Sequence, residues 1–182
     1  IVTGDEEEVL TVDKNINNVP HTYTAVETDA DIKQLVNELK KHTEICFDSE
    51  TTGIDANEAE LVGLSFSVKP GEAWYVPCPA DQNRTKEILG LFEPLFADPK
   101  KIWIGQNTKY DLLVLKWYGI EPAGNIFDTM LAHYVIEPDG KRSMDILSEK
   151  YLGYESVHIE ELNGKKGGRG AGAKSQGSKR DG

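Results

Sequence analysis

No run of about 18 consecutive apolar residues occurs in the 182-residue chain, so no transmembrane helix is expected. The opening stretch, IVTGDEEEVL, has no basic region ahead of an apolar one, so it is not expected to be a signal peptide. An initiator methionine is also missing, and the chain is expected to be a fragment of something longer. There are only two cysteines, Cys46 and Cys78, too few for a disulfide framework. Both fall in apolar, strand-like runs and are expected to be reduced core residues of a cytoplasmic protein. The Gly-rich stretches contain no GxxxxGK[ST] pattern, so no phosphate-binding loop of that type is present. The four histidines, His21, His42, His133 and His158, lack ligand spacing and are expected at the surface or in packing.

What is abundant is negative charge. The net charge is −11, but residues 163–182 hold six basic residues and one acidic one, leaving the rest of the chain at −16. Affinity for phosphate backbones comes largely from Lys and Arg, so such a body is not a self-sufficient DNA-binding module. If the substrate is a polynucleotide, metal ions or neighbouring domains must supply positive charge. The apolar share, 38%, is enough for one sizeable core. Residues 1–21 read as an acidic linker and 22–162 as the folded domain. Residues 163–182 read as a flexible Gly/Lys-rich tail, because they hold no apolar residue larger than alanine.

Periodicity predicts the elements. YTAVE (23–27) reads as a short strand. Thr28 caps a helix with Asp31 three residues on, and Ile32, Leu35, Val36 and Leu39 share one face. Strands follow at 44–49, 60–68 and 73–78, an antiparallel meander whose second turn, KPGE, suits type II geometry. A helix is expected over 84–98, broken or kinked by Pro94. Then come a strand (101–107), a helix (109–119) with Tyr110, Leu113, Val114 and Trp117 on one face, a strand (125–128) and a helix (129–136) capped by Asp128. A last helix, about 144–152, is capped by Ser143. Trp74, Trp103 and Trp117 are expected in the core. A meander followed by alternating helices and strands predicts an α/β domain with a mixed sheet flanked by helices.

The stretch FDSETTG (47–53) raises the chemical question. Alternate residues of a strand share a face, so Asp48 and Glu50 project the same way. Two carboxylates held that close repel unless a positive group intervenes, and a hard divalent cation fits. Taken alone, the pair reads equally as a solvated strand end. A second stretch, GQNTKYD (105–111), sets Gln106, Asn107, Lys109 and Asp111 at a strand-to-helix junction, where ligands gather in α/β sheets. Asp111 alone is also explained as a charge complementing the helix dipole.

Together the two stretches resemble the motifs of the proofreading 3′–5′ exonuclease domain of bacterial family A DNA polymerases, in the RNase H-like DEDD superfamily. Asp48-Ser49-Glu50-Thr51 resembles its first motif. Gln106-Asn107-Thr108-Lys109-Tyr110-Asp111 resembles its second. FDTMLAHY and SMDILSEKYLG also look like family helices, and the likeness covers roughly residues 22–162. The resemblance implies an RNase H-like fold and hydrolysis of the 3′-terminal phosphodiester of single-stranded DNA. It also implies a polymerase domain in the same parent chain and two metal ions, Mg²⁺ by default or Mn²⁺. Asp48 is then expected to bridge both ions, Glu50 to bind the one that activates water, and Asp111 to hold its site directly or through water. Thr51, Gln106 and Asn107 resemble positions that contact the terminal nucleotide. Ile54 resembles one that packs against the terminal bases, although on spacing alone it reads as well as an ordinary turn or core residue.

The family's third motif, Tyr-x-x-x-Asp, has no match. Four residues after Tyr151 stands Glu155, and four after Tyr154 stands His158. The chain therefore reads as truncated before that motif, with three site carboxylates and little hydrolysis of single-stranded DNA expected. Two other readings stay open: a non-catalytic, exonuclease-like structural domain, and an RNA-directed exonuclease. Inactive versions of the domain tend to lose the carboxylates that are present here.

Overall fold

The computed structural model describes residues 11–157. Six strands form one mixed sheet: β2 (Thr22–Ala25), β3 (Glu44–Thr51), β4 (Leu61–Lys69), β5 (Glu72–Pro77), β6 (Ile102–Gly105) and β7 (Asn125–Asp128). Their spatial order is β2-β5-β4-β3-β6-β7. The meander β3-β4-β5 is antiparallel, and β6 and β7 add to it in parallel beside β3. The KPGE turn joins β4 to β5, with Gly71 at φ +78°, the positive value that a type II turn requires at its third position. β2 lies beyond β5 and parallel to it, a pairing that local periodicity does not encode.

Helices α1 (Asp29–Leu39) and α2 (Gln82–Phe96) pack against one another. Thr28 caps α1 as expected: its Oγ1 accepts from the Asp31 N–H at 3.2 Å and donates to the Asp31 carboxylate at 2.6 Å. Ile32, Leu35, Val36 and Leu39 are all buried. From the sheet, Ile45, Phe47, Leu64, Phe66, Val76 and Trp103 join α2 in the core. Its centre is aromatic: Phe66 stacks on Phe92 at 5.1 Å between centroids, and Phe96 on Trp103 at 4.5 Å. Phe47 meets Trp103 edge-on at 5.5 Å. Burial of such rings contributes roughly 2–3 kcal/mol each.

Of the break or kink expected at Pro94, the break does not occur, since α2 runs on to Phe96. Pro94 sits in the last turn, where the helix ends two residues later, and the Ala97 N–H still closes on the Glu93 carbonyl at 2.9 Å.

Helix α3 (Thr108–Trp117) also differs from its predicted face. It buries Thr108, Asp111, Val114 and Leu115, while Trp117 is 63% exposed and Leu113 is partly so. The sheet, not the spacing of the largest residues, selects the covered face. Trp103 is core, and Trp74 packs against the core's rim.

Cys46 requires a correction too. Ile45 and Phe47 occupy the covered face of β3, so alternation turns Cys46 to the opposite face, where it is exposed; Cys78 is buried as expected.

After β7 come α4 (Thr129–Ile136), α5 (Met144–Leu152) and the short strand β8 (Tyr154–Glu155). β8 pairs in parallel with β1 (Lys14–Asn15), so part of the stretch expected as a linker is tied to the domain's other end. His133 is buried between α4 and α5, its ring edge-on to Tyr151 at 5.8 Å. Residues 163–182, expected as a tail, lie outside the described residues. Among the described residues, no helix is long and apolar enough to cross a membrane.

Candidate functional site

β3 outruns its neighbour. It pairs with β6 only from Glu44 to Cys46, then continues to Thr51 with β4 alone on its other side. Beyond Cys46 the backbone edge of β3 needs another partner. The first turn of α3 supplies it. Asp111 Oδ1 accepts from the Ser49 N–H at 3.0 Å and from Ser49 Oγ at 2.5 Å. Asp111 thus acts as an extension of the sheet as well as a charged group. The register of β3 against β4 shifts between Glu50 and Thr51, a bulge directly after the second carboxylate.

Several residues hold α3 at this angle. β6 ends at Gly105, where a Cβ would lie 2.6 Å from Thr108 Cγ2 and 3.1 Å from the Phe47 carbonyl oxygen. Only glycine lets the strand end approach β3 so closely. Asn107 then turns the chain in the left-handed region, φ 59°, which Asn tolerates better than most residues. Asp128 caps two helices at once. It accepts from Thr108 N and Oγ1 at 2.8 and 3.0 Å, and from Met130 N at 2.8 Å. Burial alone would raise its pKa, but these donors hold it below the usual carboxylate range. Asp128 is therefore the helix cap that the sequence predicted.

The acidic residues respond to their crowding. Asp48 and Glu50 stand on the open face of β3, and Asp111 is 3% exposed beside them. Asp48 is exposed as a residue, yet its carboxyl lies among protein atoms. Burial, then the charges of Asp111 and Glu50, push it up to about 6. Burial also raises Asp111, against the lowering effect of its Ser49 hydrogen bonds. Among the described residues, no Lys, Arg or His forms an ion pair with Asp48, Glu50 or Asp111, and no three acidic, His or Cys groups stand close enough together to hold a metal ion.

Other predicted site residues have distinct surroundings. Thr51 Oγ1, Tyr110 Oη and the Gly53 carbonyl form a triangle with sides of 2.9, 2.6 and 2.5 Å. Two hydroxyl protons serve three contacts, so one contact always lacks a proton. Gln106 is engaged internally: its Nε2 donates to the Arg142 carbonyl at 2.7 Å, and its Oε1 accepts from Thr129 Oγ1. Ile54 is 99% exposed at the lip of a cavity of about 420 Å³ that Asn107, Lys109, Tyr110 and Leu113 also line. A groove of about 790 Å³ between α3, α4 and β7 holds none of the three carboxylates. Ser49 and Tyr110 are the partners that motif reading passed over. Their only signal was position, inside Asp-x-Glu and next to Asp111.

Residues 23–171 match a family model described as 3′-5′ exonuclease. The chain belongs to the 3′-5′ exonuclease family. Within that family it is 40% identical to DNA polymerase I of Pseudomonas aeruginosa over 152 residues, 79% of this chain and 17% of that protein. It is 36% identical to DNA polymerase I of Borreliella burgdorferi over 163 residues, 88% and 17%. The chain thus spans about a sixth of the length of the relatives it matches. NrnC of Brucella melitensis with bound Mg²⁺ shares the fold at TM-score 0.58 and 18% identity, over 78% of this chain and 65% of that one. The fold is RNase H-like, as the motifs implied.

Proposed function

We propose that this exonuclease-family chain carries the site for metal-dependent hydrolysis of the 3′-terminal phosphodiester of DNA, the proofreading unit of a DNA polymerase I-type protein. One observation carries the reading. At the end of β3, Asp48 is raised to about 6 by burial and then by the charges of Asp111 and Glu50, and among the described residues no cation pairs with any of the three. A half-buried carboxyl with two further carboxylate charges beside it suits a divalent cation, which would relieve the repulsion. The donor set, oxygen only, fits Mg²⁺ or Mn²⁺. When bound, such ions activate water and neutralise charge developing on the phosphate.

The chain's own residues do the rest. Asp48 and Glu50 present carboxylate oxygens from one face, so one ion can touch both. Ser49 fixes the Asp111 carboxylate beside them. The cavity at Ile54 offers an apolar surface for a terminal base, and Lys109 and Asn107 supply polar contacts on the opposite wall. Thr51 and Tyr110 hold the Gly53 turn that presents Ile54. Because the body is acidic, DNA approaches only where a metal or an accompanying polymerase domain supplies positive charge. A DNA substrate is preferred to RNA because the relatives at 36–40% identity are DNA polymerases.

The test is Mn²⁺ titration of the chain, followed by the resonance of free Mn²⁺, together with release of 3′-terminal nucleotides from labelled single-stranded DNA. Asp48→Ala is expected to weaken Mn²⁺ binding at least tenfold and to remove any 3′ release. Unchanged Mn²⁺ affinity in Asp48→Ala overturns the reading.

A further inference from the structure

Gly63 lies opposite Glu50 in the β3–β4 register, and Tyr75 lies opposite Ser65 in the β4–β5 register. Glu50, Gly63 and Tyr75 therefore belong to the same open face. A Cβ added at Gly63 would fall 2.2 Å from Tyr75 Oη, 2.4 Å from Cζ and 2.5 Å from Cε2. The ring tip thus occupies the space that a side chain at position 63 would fill. Directly opposed Cβ positions on antiparallel strands are about 4.5–5.5 Å apart. The phenol oxygen, placed at the Gly63 Cβ position, is accordingly within reach of a glutamate side chain extending from Glu50.

Both groups are under-used. Among the described residues, the Tyr75 hydroxyl makes only a long contact, 3.4 Å, to the Val62 carbonyl. The Glu50 carboxylate takes part in no side-chain hydrogen bond or ion pair among the described residues. The Tyr75 hydroxyl is raised by burial and then by the charge of Glu50, in keeping with that proximity.

We propose that Tyr75 is a positioning residue whose hydroxyl donates to the Glu50 carboxylate and turns it toward Asp48, and that position 63 is glycine to admit the ring. This rests on Glu50 acting as a metal ligand. An exposed glutamate gives up rotamer freedom when it ligates, and a preset donor reduces that loss.

The experiment is a double-mutant cycle on Mn²⁺ affinity in the full chain, using Tyr75→Phe, Glu50→Gln and the pair, with thermal midpoints alongside. Tyr75→Phe keeps the ring and is expected to weaken Mn²⁺ about three- to tenfold in the wild-type background, with no effect in Glu50→Gln and an unchanged midpoint. Gly63→Ala is expected to reproduce that loss, since its Cβ would displace the Tyr75 ring tip. If Glu50→Gln weakens Mn²⁺ while Tyr75→Phe does not, or if Tyr75→Phe acts equally in both backgrounds, the positioning role is overturned and the metal site stands. If Glu50→Gln leaves Mn²⁺ binding unchanged, Glu50 is no ligand and the inference falls with that assignment.

Discussion

The two faces of β3 are opposites in burial and charge. On one face Ile45 and Phe47 are at most 1% exposed, locked among Phe96, Trp103 and the helices. On the other, one residue away each time, stand Cys46, Asp48 and Glu50, all exposed. The covered face is held by shape and area, and tolerates no charge. The open face gathers charge and makes few contacts. The contrast shows how a rigid core positions an electrostatically unfavourable site: the backbone that anchors Phe47 also fixes Asp48.

Phe47→Ala tests the covered face and carries the largest expected effect, a loss of about 3–5 kcal/mol from the transfer and cavity terms together. Urea unfolding measures it. A loss below about 1 kcal/mol would mean that the aromatic cluster is not what holds β3.

Ser49→Ala acts at the seam between the faces. It removes one of two donors to the buried Asp111 Oδ1, for an expected loss of about 1–2 kcal/mol in the same urea assay. Mn²⁺ affinity should fall with it, because Asp111 is then less firmly held. A stability loss with unchanged Mn²⁺ affinity would show that Asp111 is structural alone.

Asp48→Asn should move stability the opposite way. The folded pKa of Asp48, about 6, lies above its ordinary value of 3.8. The folded chain therefore binds the extra proton between these values, so this group destabilises most above pH 6, and the penalty fades as pH falls toward 4. At pH 7 without divalent metal, Asp48→Asn is expected to raise the thermal midpoint by about 2 °C, a modest figure because Asp48 is exposed as a residue. At pH 4 the variant and wild type should melt together. A lower midpoint at pH 7 would mean that the carboxylates are not in conflict.

Cys46→Ser should do least. The residue lies on the open face, and its replacement is expected to change stability by less than about 0.5 kcal/mol. A cost approaching that of Phe47→Ala would erase the distinction between the faces.

Much of this arrangement is local and so was legible in the sequence. Alternation along FDSET put Asp48 and Glu50 on one side, Thr28 with Asp31 marked the start of α1, and Asp128 marked that of α4. Each depends on neighbours within four residues, where chain geometry alone sets the relation. The motif pair also led to the family and to the RNase H-like fold. Tertiary structure decided the rest. It joined Asp111 to Ser49 across 62 positions and laid Tyr75 over Gly63. It set β2 parallel to β5 and closed β1 onto β8. It also chose which side of α3 to bury, leaving Trp117 in solvent. Backbone pairing carries no side-chain signature, and a helix with apolar residues on more than one side is oriented only by what it packs against. Residue order therefore determined which carboxylates share a strand face, while the packing of α3 against the uncovered edge of β3 decided which third carboxylate stands beside them.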